Sequence, residues 1–203
     1  MDFFKSFEII DVYKSREVDV LNYIEFLCDL LVIDMPEVQY KKGTKFYNQF
    51  GKPVAPFKLR STAGGVTYHE KRMVRIDLNK FKDLSIVYQV LAHELRHIFQ
   101  CDVIANEEGF KGEVDPQTVE AWRKNMDDYL NSKDAGHENQ PIELDATAFS
   151  YVVCMTILHA PIKFSCDAEK LAPMVYDMTQ NYTESEILEC AKEFGIQPRR
   201  ILA

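Results

Sequence analysis

Residues that could staple this chain or carry it across a bilayer are scarce. Its 203 residues include five cysteines: Cys28, Cys101, Cys154, Cys166 and Cys190. The number is odd and no CxxC occurs, so neither a disulfide framework nor a cysteine zinc site is signalled. Free thiols packed as small apolar groups are the reading that remains. No apolar run reaches the ~18 residues needed to span a membrane. The first ten residues, MDFFKSFEII, lack the basic start, long apolar centre and small-residue cleavage site of a signal peptide. A cytoplasmic protein without membrane association is expected. Repeats and low-complexity tracts are absent too.

What is present is ordinary for a globular chain: 46% hydrophobic and 28% charged residues. The length suits a single domain over 1–203. Net charge is −8, but residues 41–82 hold eleven Lys and Arg against Glu70 and Asp77, a balance of +9 that leaves −17 for the remainder. So acidic a chain is a poor general nucleic-acid binder. The basic segment suits either an acidic partner or the guarding of exposed strand edges by lysine.

The order of elements reads helix, small sheet, then helices, an α+β pattern. Residues 17–32 form an amphipathic helix, and a strand follows near 37–42. Residues 43–65 are loops with short extended pieces, and 64–78 form a hairpin around His69–Lys71. A helix runs from about 84 to 101. Asp115-Pro116 opens another with a capping residue and a first-turn proline, its apolar stripe made by Val119, Trp122, Met126 and Leu130. A helix from Pro141 to about His159 follows, then one capped by Asp167 that reaches about Gln180, with Pro173 as a place for a kink. Thr183 and Glu186 make a capping box. Gly195 ends that helix and Pro198 starts a short last turn.

One stretch resists a purely structural reading. Residues 91–100, LAHELRHIFQ, place two histidines, a glutamate and an arginine inside an apolar helix. With His93 at 0° and about 100° per residue, His97 falls near 40° and Glu94 near 100°. Leu84, Val87, Tyr88, Leu91, Leu95, Ile98 and Phe99 fall between about 120° and 240°; Gln89, Arg96 and Gln100 fall between about 300° and 340°. The helix has an apolar back and a polar front, with the imidazoles one turn apart on the front. That is how HExxH offers two nitrogens to one zinc ion, with the glutamate beside them to act on a bound water.

A catalytic zinc takes three protein ligands and keeps one open position. The metzincin pattern, with a third histidine soon after the motif, is excluded because IFQCDVIAN follows His97. The stronger candidate is Glu143 in PIELDATAFSYVVC, residues 141–154. Small residues, Ala146, Thr147, Ser150 and Cys154, share its face and let two helices approach. Asp145, about 200° away, is the weaker candidate, and a first-turn glutamate also suits the helix dipole.

HELRH followed by ELDATAFS resembles the ImmA/IrrE metallo-endopeptidases, which pair HExxH on one helix with an E-x-x-A-x-x-F-A type sequence on a later one. Glu143, Ala146 and Phe149 match that second motif, and Ser150 stands where a small residue is usual. Arg96 departs from the common glycine, and an extra helix separates the motifs. The resemblance spans about residues 65–160. It implies a zincin-like fold with a small twisted, mostly antiparallel sheet, an active-site helix within about 1–101, and a helical part over about 102–203 carrying a gluzincin-like third ligand. It implies that His93, His97 and Glu143 hold Zn2+, that Glu94 is the catalytic base, and that the substrate is a cytosolic protein or peptide, often a helix-turn-helix repressor from a mobile element.

A substrate chain is expected to lie along the sheet edge at Val66, Thr67 and Tyr68 by strand addition, with Lys71, Arg72 and Arg75 favouring acidic sequences. Tyr151, His137 and His159 are candidates to stabilise the oxyanion. Arg96 either lines the cleft rim or pairs with an acidic neighbour. Two other functions compete with the peptidase. One is a zinc-binding module that sequesters a regulator without cutting it. The other is a DNA-associated regulator using the last helices, which Arg199 and Arg200 alone support poorly.

Overall fold

A computed structural model describes residues 14–59, 64–81, 84–130, 133–159 and 164–197. Among the described residues, six helices and a four-stranded sheet make the α+β architecture. Helix α1, Lys14–Leu30, buries Val20, Tyr23, Ile24 and Leu27, apolar residues three or four apart that share one face. It ends where Val32 takes a left-handed φ of 53° and Ile33 N–H returns to the Cys28 carbonyl at 2.9 Å.

Strands β1 (Glu37–Lys42) and β2 (Lys45–Asn48) form a hairpin closed by Gly43, whose φ of 61° suits the two-residue turn. Strand β3 (Gly65–Tyr68) reaches β4 (Met73–Asp77) through a 3-10 turn, His69–Lys71. The sheet order is β2-β1-β4-β3, so β3 is an edge strand. Two pairings are antiparallel, but β1 and β4 run parallel; the sheet is mixed. Val38, Tyr40, Val74 and Ile76 alternate onto one face and enter the core.

Helix α2, Leu84–Ala105, extends one turn beyond the sequence expectation. Its apolar back is buried as expected, and much of its polar front is buried too: Arg96 is 4% and Gln100 0% exposed. The cause is α4, Pro141–Leu158, which packs along that front. By length and mean hydropathy, 1.3, α4 passes the test for a membrane span, contrary to the expectation that no segment would. Yet 72% of it is buried against the rest of the protein, which accounts for its apolarity. Of the four small residues on the Glu143 face, Ala146, Ser150 and Cys154 are buried and Thr147 is half-buried.

Helix α3, Pro116–Asp127, is capped by Asp115 and buries Val119 and Trp122, whereas Leu130 lies beyond its end and is exposed. Helix α5, Ala168–Asn181, runs through Pro173 without restarting. Helix α6, Glu184–Glu193, has its capping box at Thr183 and Glu186, and Gly195 ends it with a φ of 70°. The expected turn at Pro198, with Arg199 and Arg200, lies outside the described residues.

Candidate metal centre

Helices α2 and α4 bring three ligand-type side chains together. Nε2 of His93 lies 3.0 Å from Nε2 of His97 and 3.2 Å from Oε2 of Glu143; Nε2 of His97 lies 3.5 Å from Oε1 of Glu143. Ligands held at about 2.0–2.1 Å in a tetrahedron stand roughly 3.3 Å apart. The three separations bracket that edge, so the group can hold a metal ion. His97 and Glu143 are buried, and His93 keeps 24% of its side chain exposed, leaving an approach from one side.

The charges suit a cation. Burial would raise the Glu143 carboxyl, but His97 and His93 beside it hold it well below the usual carboxylate range. Burial would likewise lower His97, but Glu143, then Glu94, outweigh it and lift the imidazole to about 9. The Glu143 carboxylate thus draws one positive charge into the cluster, which a proton or a metal ion can supply.

Glu94 faces the sheet edge. Its Oε2 accepts from the Thr67 hydroxyl at 2.6 Å, and the same hydroxyl lies 3.1 Å from the Glu94 carbonyl. Gly65 makes room: a Cβ there would stand 2.7 Å from Val90 Cγ1 and 2.8 Å from Glu94 Oε1. Asp77 N–H donates to the Gly64 carbonyl at 3.2 Å, which sets the alternation along β3. Gly64, Val66 and Tyr68 turn their backbone groups to β4, and Gly65 and Thr67 turn theirs to the outer side. Of the three residues expected to bind a strand there, only Thr67 presents its backbone outward.

Behind the cluster lies a buried polar network. Gln100 contacts His97 Nδ1 at 2.7 Å and reaches α4 at the Ile142 carbonyl, 3.0 Å, and Asp145 Oδ2, 2.7 Å. Arg96 forks onto Asp145 at 2.8 and 3.1 Å and donates to the Tyr182 hydroxyl at 2.9 Å. Of the two places expected for Arg96, the acidic neighbour is where it goes, and Asp145 therefore points away from the metal cluster.

The oxyanion candidates separate. His137 is near, its Nε2 3.8 Å from Glu143 Oε2, with Nδ1 donating to the Leu130 carbonyl at 2.9 Å. Tyr151 lies eight residues along α4 from Glu143, about 12 Å of helix, and its ring meets Phe164 instead. His159 caps the far end of α4, about 24 Å of helix away. Neither Tyr151 nor His159 is brought to the cluster, because two or more turns of α4 separate each from Glu143.

Tyr129 was missed. It donates to Glu143 Oε1 at 2.5 Å, and burial, then Glu143 and Glu94, keep its phenol protonated far above the ordinary range. It sits just past α3 on a segment pinned by Gln140, whose Oε1 accepts from Leu130 N–H and from Asn125 Nδ2, both at 2.8 Å. No periodicity marks such a position.

The basic residues near β3 are largely committed. Arg72 pairs with Asp102. Arg75 donates to Gln39 at 2.9 Å and stacks on Phe57 and Tyr68. No protein family, curated protein or solved structure matches the chain.

Proposed function

We propose that this chain is a zinc-dependent endopeptidase of the zincin type, similar to the ImmA/IrrE enzymes, acting in the cytoplasm on a protein substrate such as a helix-turn-helix regulator. The observation that carries the reading is the convergence of His93, His97 and Glu143 from two helices at tetrahedral spacing. Those three residues would hold the ion. Zinc, when bound, supplies Lewis acidity to a carbonyl and makes a water more acidic.

The chain's own groups do the rest. Glu94 accepts the proton of the attacking water and delivers it to the departing amine. Thr67 orients Glu94 through the 2.6 Å hydrogen bond. Gly65 and Thr67 offer outward N–H and C=O groups to an extended peptide, which pairs with β3 as an added strand. Tyr129 and His137 both stand at Glu143; the Tyr129 hydroxyl, turned from Glu143 to the carbonyl oxygen, would be the donor where negative charge develops.

The second reading, the non-cleaving module that sequesters a regulator, would use the same three ligand residues without the chemistry of Glu94. Glu94→Gln separates the two. The variant is expected to retain zinc and to lose cleavage of co-expressed regulators or of an unfolded protein substrate by about 10²-fold or more. Equal loss of the partner with wild type and variant would refute the peptidase reading.

A further inference from the structure

Gln100 has no exposed surface, and both ends of its amide are used. Its Nε2 donates to the Ile142 carbonyl and to Asp145 Oδ2. Both partners are acceptors, so the NH2 end of the amide must face α4. Turning the amide over would set its oxygen against a carbonyl and a carboxylate. The orientation is therefore fixed, and Oε1 is the atom that meets His97 Nδ1 at 2.7 Å. An oxygen that can only accept puts the imidazole proton on Nδ1. Where a metal ion takes the place of the second imidazole proton, the lone pair therefore falls on Nε2, the atom within the His93–Glu143 cluster.

Asp145 is held out of direct contact with His97 by Arg96, which takes both of its oxygens. What reaches the imidazole is thus a neutral amide backed by a neutralised carboxylate. We infer that Gln100 is a positioning residue: an amide relay, anchored by the Arg96–Asp145 pair, that selects the His97 tautomer able to bind a metal ion. The inference rests on the metal-centre reading above. Without the amide, His97 is free to carry its proton on Nε2 and donate it to Glu143 Oε1, a hydrogen bond that closes the cluster against the ion.

The test uses the full chain and zinc alone. Zinc dissociation constants are measured by chelator competition for wild type, Gln100→Met and Tyr182→Phe. The tyrosine variant removes a hydrogen bond from the far end of the same network and leaves the amide in place. Gln100→Met is expected to weaken zinc binding about 10- to 100-fold, and Tyr182→Phe to leave it near wild type while lowering stability. Unchanged affinity in Gln100→Met, or equal weakening in both variants, overturns the relay. If Gln100→Met does not fold, NMR of zinc-loaded wild type decides. A slowly exchanging proton on His97 Nδ1 close to the Gln100 side chain supports the relay, and ligation through Nδ1 overturns it. A wild type that binds no zinc overturns the metal centre itself and the relay with it, so the two failures are distinct.

Discussion

Asp145→Ala is the substitution that the buried network makes most consequential. Arg96 is 4% exposed, and its guanidinium lies 4.3 to 5.7 Å from the ring centroids of Phe99, Trp122, Phe149 and Tyr182. Burial alone works against its charge. Asp145 and Tyr182 more than offset that and keep it charged. Removing the carboxylate leaves this charge without an anion in an apolar box, a loss of about 3–5 kcal/mol. Gln100 also loses one acceptor, which adds about 1 kcal/mol, while the contacts with the surrounding rings are present with or without Asp145 and cancel. A total of about 4–6 kcal/mol corresponds to about 8–24 °C in Tm for a chain of this length. Thermal and urea unfolding in the presence of a chelator measures it without a contribution from metal. Combining Arg96→Met with Asp145→Leu is expected to recover most of the loss, since an apolar pair removes the stranded charge. A loss below about 1 kcal/mol in the single variant would refute the claim that water is excluded from this pair.

Two further substitutional or solution tests follow from local geometry. Val32 is a β-branched residue at φ 53° that closes α1 and is 72% exposed. Val32→Gly is expected to stabilise the protein by about 1 kcal/mol in urea unfolding, and a destabilised variant would contradict the helix ending. Burial raises the thiols of Cys28 and Cys154 from 9.0 to about 12. In the unfolded chain they ionise near 9 while the folded chain keeps them protonated, so their contribution is intact below pH 9 and is lost as pH climbs towards 12. Each adds a decline of up to about 1.4 kcal/mol per pH unit in that window. Substituting both by Ala should flatten that decline, and an unchanged slope would show that these thiols are not the cause.

The sequence revealed most where a residue's role is decided within one or two turns of chain. The HExxH stripe on α2, the Asp115 cap, the capping box at Thr183 and the strand at Glu37–Lys42 are local patterns, and each stands where it was expected. Glu143 was found because a carboxylate among small residues marks a helix face that another helix can approach. What the sequence hid depends on contacts between distant segments. The helical wheel shows that α2 has a polar front but not what covers it, and α4 buries Arg96 and Gln100 there. Gln100, three residues after His97 on that front, could have been suspected as its partner; Asp145 as the partner of Arg96 needed the helix pairing. The parallel union of β1 with β4 follows from a crossover that no hairpin signal announces. Tyr129 reaches Glu143 from a connecting segment held by Gln140, and only the folded chain shows that.

The most direct test of a metal centre built by His93, His97 and Glu143 is zinc stoichiometry joined to X-ray absorption on the purified protein. One zinc per chain is expected, with two imidazole nitrogens and a carboxylate oxygen at about 2.0–2.2 Å and no sulfur, and with the signal lost in Glu143→Ala. Less than about half an equivalent at a pH where zinc competes effectively with protons, or a sulfur ligand in the shell, would contradict it.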